Sequence, residues 1–205
     1  MWLALLMFLV QPATGQTIAT ESPNVVVEPV VSQDKYCRES NGDISLRLEF
    51  ILHFKNTTQN AIVLPLFARL SRYELFSDDA ALSQGRKVAD VSFRNEDVLD
   101  AQKLDQVRPD PKLFRILKAG ETGSLYTSVS IVVLPARAAE SPLLGRDHYL
   151  KLHLNPWPAE RSAGKTLAQA WQRYGNLFLT DIPSLPFKFH VHRQPISEAC
   201  TIRVD

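Results

Sequence analysis

The chain has 205 residues, 45% apolar and 22% charged, enough for one domain with a buried core and too apolar for a disordered tail. Its 23 Lys and Arg against 22 Asp and Glu leave a formal charge of +1, so no charge excess points to nucleic acid, an anionic membrane or a polyanionic substrate. Its 13 Pro against eight Gly suit strands and turns better than a helical bundle.

Met1 to Val10 carries no charge and no polar side chain. Gln11-Pro12 breaks the run, and Ala13 and Gly15 then place small residues at the −3 and −1 positions of a cleavage site. This pattern predicts a secretory signal over residues 1–15, a mature chain from Gln16 and a secreted or periplasmic protein. The run falls well short of the roughly 20 apolar residues a bilayer span needs, and no later stretch approaches that length, so no membrane anchor is expected. The signal departs from type in having no Lys or Arg before the apolar run, and a buried N-terminal strand is the competing reading.

Residues 16–43 read as an N-terminal arm with one strand, Val25 to Val31, which Pro29 confines to a sheet edge. Residues 44–205 read as a single domain. In Ile44 to Phe54, the residues Ile44, Leu46, Leu48, Phe50, Leu52 and Phe54 alternate with mostly polar partners, the period of a half-buried strand. A turn at Asn56 to Asn60 leads to a strand over Ala61 to Leu70, with Ile62, Leu64, Leu66 and Leu70 on one face, and Tyr73 to Phe76 is its extension or a short strand of its own before Asp78-Asp79. Lys87 to Phe93 and Leu113 to Leu117 are further short strands, separated by an acidic stretch that Pro109-Asp110-Pro111 ends. After a turn at Lys118 to Glu121, Gly123 to Leu134 sets Leu125, Thr127, Val129, Ile131 and Val133 on one face. Asp147 to Asn155 turns Leu150, Leu152 and Leu154 inward and Lys151 and His153 outward.

The period then changes. Ala163, Leu167, Ala170, Trp171 and Tyr174 recur at helical spacing, with Ser162 as N-cap and Gly175 as the stop. Leu177 to Leu179, Pro186 to Val191 and Thr201 to Val204 read as closing strands. The fold expected is mainly β, an antiparallel immunoglobulin-like β-sandwich with one helix near 163–174. A parallel sheet needs a helix between most strand pairs, and one helix cannot supply that.

From Ile44 to Leu134 the chain resembles the bacterial secreted immunoglobulin-like module. The residues that carry the likeness are Leu46, Leu48, Phe50, Leu52, Phe54 and Asn56 at alternate positions, a polar turn, Ile62 and Leu64, and the Leu117-x-Ala119-Gly120-Glu121 turn. Among named families the BsuPI-type proteinase-inhibitor domain is the most similar in layout. The likeness covers under half of the chain and implies a sandwich fold. It assigns no functional residue.

Several stretches carry candidate chemistry. Ala159 to Thr166 fits a loose Walker A pattern, with Lys165 and Thr166 where phosphate and Mg²⁺ would be met, and Asn176 to Asp181 can pose as its acidic strand. The first Gly is missing, Pro156 and Pro158 precede it, and the preceding strand alternates, so an ordinary helix start with a solvated Lys165 is expected. His190-Val191-His192 puts two imidazoles on one strand face, a spacing that can chelate Zn²⁺ or Cu²⁺, and His153 joins them if the two strands pair. No Cys or acidic residue at ligand spacing completes the set, so exposed strand histidines are the expectation and no metal or other cofactor is assigned. No Gly-x-Ser-x-Gly elbow is present, and Asp78-Asp79 and Asp97/Asp100 sit in turn-like or acidic surface contexts. Trp157, between Pro156 and Pro158, suits a rigid binding loop or a plug beside Trp171. Asn56-Thr57-Thr58 is a sequon at a turn, which matters only in a host that glycosylates secreted proteins and is simply a turn in a bacterial one. Cys37 and Cys200 are the two cysteines, and an exported chain is expected to pair them.

The function expected is a secreted, non-catalytic binding or structural module for an unknown protein or carbohydrate ligand. A proteinase inhibitor using Pro109 to Pro111 or Pro156 to Pro158 as its exposed loop is one alternative, and a secreted enzyme is another.

Overall fold

The computed structural model describes residues 24–65, 68–93, 114–155, 173–177 and 181–193. In chain order these form β1 (Val25–Arg38), β2 (Ile44–Asn56), β3 (Ile62–Pro65), β4 (Arg69–Phe76), α1 (Asp79–Ser83) and β5 (Ala89–Ser92). There follow β6 (Phe114–Leu117), β7 (Thr122–Leu134), β8 (Arg146–Asn155), β9 (Ile182–Pro183) and β10 (Phe187–Val191). The described chain is mainly β, and all of its strand pairings are antiparallel. A three-stranded sheet runs β1-β2-β7, a second runs β10-β8-β4-β5 with β9 beside β8, and β3 pairs with β6.

The alternation in β2 is realised as expected. Leu46, Leu48, Phe50, Leu52 and Phe54 are all buried, and β2 lies at the centre of its sheet with β1 and β7 on its sides. Pro29 sits on β1, the edge strand, which continues to Arg38. The apolar face of this sheet meets that of the second: the ring of Phe50 packs edge-on against Phe187 of β10 at 5.6 Å. Leu75 on β4 and Leu150, Leu152 and Leu154 on β8 belong to the same core cluster as β2 and β7.

Two expectations are corrected. The strand expected over Ala61 to Leu70 is two strands, β3 and β4, in different sheets. Within β4 a bulge lies between Leu70 and Arg72, so the buried set changes phase from Leu70 to Tyr73 and Leu75. Second, the Asp78-Asp79 pair starts a short helix, with Asp79 its first residue and Asp78 its N-cap. The Asp78 side chain accepts a 2.7 Å hydrogen bond from Ala81 N and caps α1.

The helix expected near 163–174 lies outside the described residues through position 172, and Arg173 and Tyr174 form a turn. The 1–15 segment and Thr201 to Val204 also lie outside them. Among the described residues, no helix is long and apolar enough to cross a membrane.

Candidate binding site

β7 is the edge of the three-stranded sheet, with no strand on its far side among the described residues. Edge strands present unpaired backbone donors and acceptors, and proteins commonly guard them with Lys, Pro or charge. Thr122 to Leu134 contains no Asp, Glu, Lys, Arg or Pro. Its inward residues Leu125, Val129, Ile131 and Val133 are buried as the alternation predicts, whereas Tyr126 is 77% exposed and Val132 46%.

Tyr126 pairs across the sheet with Ile51 of β2, which pairs with Val30 of β1, so an apolar row crosses the outer face. Two open grooves meet at Tyr126, Thr127 and Ser128. One, of about 480 Å³, passes Arg69, Leu70 and Phe93. The other, of about 230 Å³, passes Ser32, Arg47 and Glu49. The site therefore offers a large aromatic surface, hydroxyls, charges of both signs and a strand edge that is unpaired among the described residues.

The outer face of the second sheet carries a polar cluster. Register places Arg72 of β4 beside His153 of β8, and Glu74 beside Lys151 and Asp90. Glu74 Oε1 lies 2.6 Å from Lys87 Nζ and 3.0 Å from Arg72 Nη2, and its Oε2 lies 3.4 Å from His153 Nε2. Asp90 closes the network at 2.8 Å from Lys87 Nζ. Burial alone would raise the Glu74 carboxyl, but hydrogen bonds from Lys87 and His153, with their charges, hold it below the ordinary value. His153 moves down, chiefly because burial disfavours its charged form and the Arg72 guanidinium adds to this against the pull of Glu74. These groups are spent largely on one another, with the Glu74 and His153 side chains only 8% and 10% exposed.

The structure separates the residues that the sequence grouped. His153 was expected on an outward, solvated face; it is buried, because Arg72 and Glu74 cover it. It also does not join His190 and His192, since β10 pairs with Arg146 to Leu150 and His190 stands opposite Asp147, six residues before His153. Among the described residues no group of three or more His, Cys, Asp or Glu is placed to hold a metal ion. His190 and His192 do stand together, with ring centres 4.9 Å apart.

The sequon at Asn56 lies where β2 runs into a turn, as expected. Asn56 is wholly buried, and its Nδ2 lies 2.8 Å from Asn60 O, 3.0 Å from Leu117 O and 3.1 Å from Lys118 O. A glycan on that nitrogen is incompatible with the fold. Cys37 is buried at 1% exposure, whereas Cys200 lies outside the described residues. So do Trp157, the Ala159 to Thr166 segment, Asp97, Asp100 and the Pro109 to Pro111 loop.

Tyr126 was missed in the sequence because the alternation of β7 draws attention to its inward set. The signal that could have found it is the absence of charge along the whole strand. No family model matches this chain, and neither a curated protein nor a solved structure matches it.

Proposed function

We propose that the chain is an exported, non-catalytic binding module with an immunoglobulin-like sandwich architecture, and that its ligand is an extended segment of another protein that adds as a strand along β7. The observation that carries this reading is the β7 edge, uncharged and without a further strand among the described residues, with Tyr126 at 77% exposure between two grooves. In strand addition the main chain supplies affinity, and pockets for alternate side chains supply selectivity. Tyr126 and the flanking Arg69, Arg47 and Glu49 are the groups that would read those side chains. The sandwich reading is supported by two antiparallel sheets whose apolar faces share a core, and it agrees with the resemblance to the BsuPI-type domain. Export is supported by the apolar run Met1 to Val10 and the small residues before Gln16.

The same reading includes a Cys37–Cys200 disulfide. Its support is positional: His192 N donates a 2.6 Å hydrogen bond to Tyr36 Oη, one residue from Cys37. Six residues lie between Arg193 and Cys200, a reach of up to about 24 Å over the seven steps when extended.

A photo-crosslinking residue at Tyr126, introduced into the full chain in its host, tests the function. The expected result is a protein adduct that a crosslinker at Lys118, in the turn before β7, does not give. Equal adducts at both positions, or an adduct with glycan alone, would overturn it.

A further inference from the structure

The His190-Val191-His192 triplet is held from both sides. Val191 between them is fully buried, whereas His190 on β10 and His192 just past its end are both exposed. Val191 O accepts a 2.6 Å hydrogen bond from Gly145 N, and His192 N is bound to Tyr36 Oη at 2.6 Å. The two imidazoles are thus tethered to β1 and to the start of β8 rather than lying on a free end.

On β8, Asp147 Oδ1 lies 2.7 Å from His190 Nδ1. A carboxylate at that distance accepts a hydrogen bond from Nδ1–H, and the tautomer it favours carries the lone pair of the neutral ring on Nε2. Metal-binding histidines are oriented in this way, with the far nitrogen donating to a carboxylate while the other meets the metal. The His192 ring supplies a second nitrogen, and the ring spacing can be compared with what chelation needs. A metal about 2.0–2.1 Å from each nitrogen, with the ring centre about 1.1 Å further on, sets two ring centres about 4.5–5.2 Å apart for a ligand angle of about 90–110°. The observed separation is 4.9 Å, with the rings tilted by 59°.

The geometry points to a surface site for a borderline divalent transition metal, held by His190 and His192 and oriented by Asp147. Two imidazoles from the protein leave the other coordination positions to water or to an external ligand. Among the divalent ions of this class Cu²⁺ binds nitrogen donors most strongly, so it is the probe of choice. Lys188, 3.1 Å from Asp147 Oδ2, is the one cation paired with that carboxylate among the described residues, and it offsets part of the local negative charge. The site shares no residue with the Tyr126 grooves, so its test and that of the proposed function can fail separately.

The full chain, carrying no histidine tag, is titrated with Cu²⁺ and followed by calorimetry and by electron paramagnetic resonance. The expected result is one equivalent bound, with a spectrum split by two nitrogens. His190→Ala and His192→Ala should each weaken binding at least tenfold, and Asp147→Asn about tenfold to a hundredfold. His53→Ala, an exposed histidine on the other sheet, should leave it unchanged. Circular dichroism establishes that each variant is folded. Binding that persists unchanged when His190 and His192 are both replaced, or no binding up to millimolar Cu²⁺, overturns the site. An unaltered affinity in Asp147→Asn overturns the orienting role.

Discussion

At Asn56 a single buried amide ties the turn after β2 to the turn before β7. Its Nδ2 faces the carbonyls of Asn60, Leu117 and Lys118, and its Oδ1 accepts from Thr58 N at 2.9 Å and Thr58 Oγ1 at 2.8 Å. Its own backbone also bonds to Gly120 and Glu121. Replacing it with Ala strips several buried groups of partners at once and should cost about 2–4 kcal/mol in urea unfolding. Asp should be no better at neutral pH, because a carboxylate cannot donate to those carbonyls. Phe50 makes the apolar counterpart: it is fully buried and packs on Phe187, so Phe50→Ala should cost about 3–5 kcal/mol by the same measurement. Glu49, next to it on the other face, has only a loose 3.6 Å pairing with Arg47, and Glu49→Ala should cost under about 1 kcal/mol. Equal costs at the two positions would contradict the register of β2.

The β4–β8 pair carries the acid sensitivity of the fold. His153 is depressed in the native state by burial and by Arg72, so as pH falls below about 6.5 the unfolded chain takes up this proton first and the native state loses stability. Glu74 is also depressed, so below about pH 4.5 the unfolded chain again binds more protons and stability falls further. Denaturant midpoints measured from pH 7.5 down to 4 should decline in two stages. His153→Gln should flatten the upper stage and leave the lower one. A wild-type midpoint that does not move between pH 7 and 5.5 would show that His153 is not held in this way. The faces of β2, β7 and β8 were legible because each strand keeps its period from end to end. The change of phase within β4 was not, because the bulge between Leu70 and Arg72 has no Gly or Pro to announce it, although Pro65 does stand where β3 ends.

For the molecule as a whole, the proposed disulfide would close a loop of more than 160 residues, which on the chain-entropy model adds about 5 kcal/mol less any native strain. Thiol titration of denatured, unreduced protein should find no free thiol, and two per chain would remove the bridge. N-terminal sequencing of exported material should begin near Gln16, and a retained Met1 would remove the signal. By itself the sequence determined the mainly β, antiparallel character, the Pro29 edge strand and the inward faces, because side-chain alternation along a strand is a local property that burial on one side makes visible. Tertiary structure alone decided which strands are neighbours. That placement buried His153 against Glu74 and Arg72, set Asp147 behind His190, used up the Asn56 amide and left β7 at an edge. Such pairings join residues far apart in the chain, as Asn56 with Leu117 and Arg72 with His153, and depend on which strand edges meet. No local period records that.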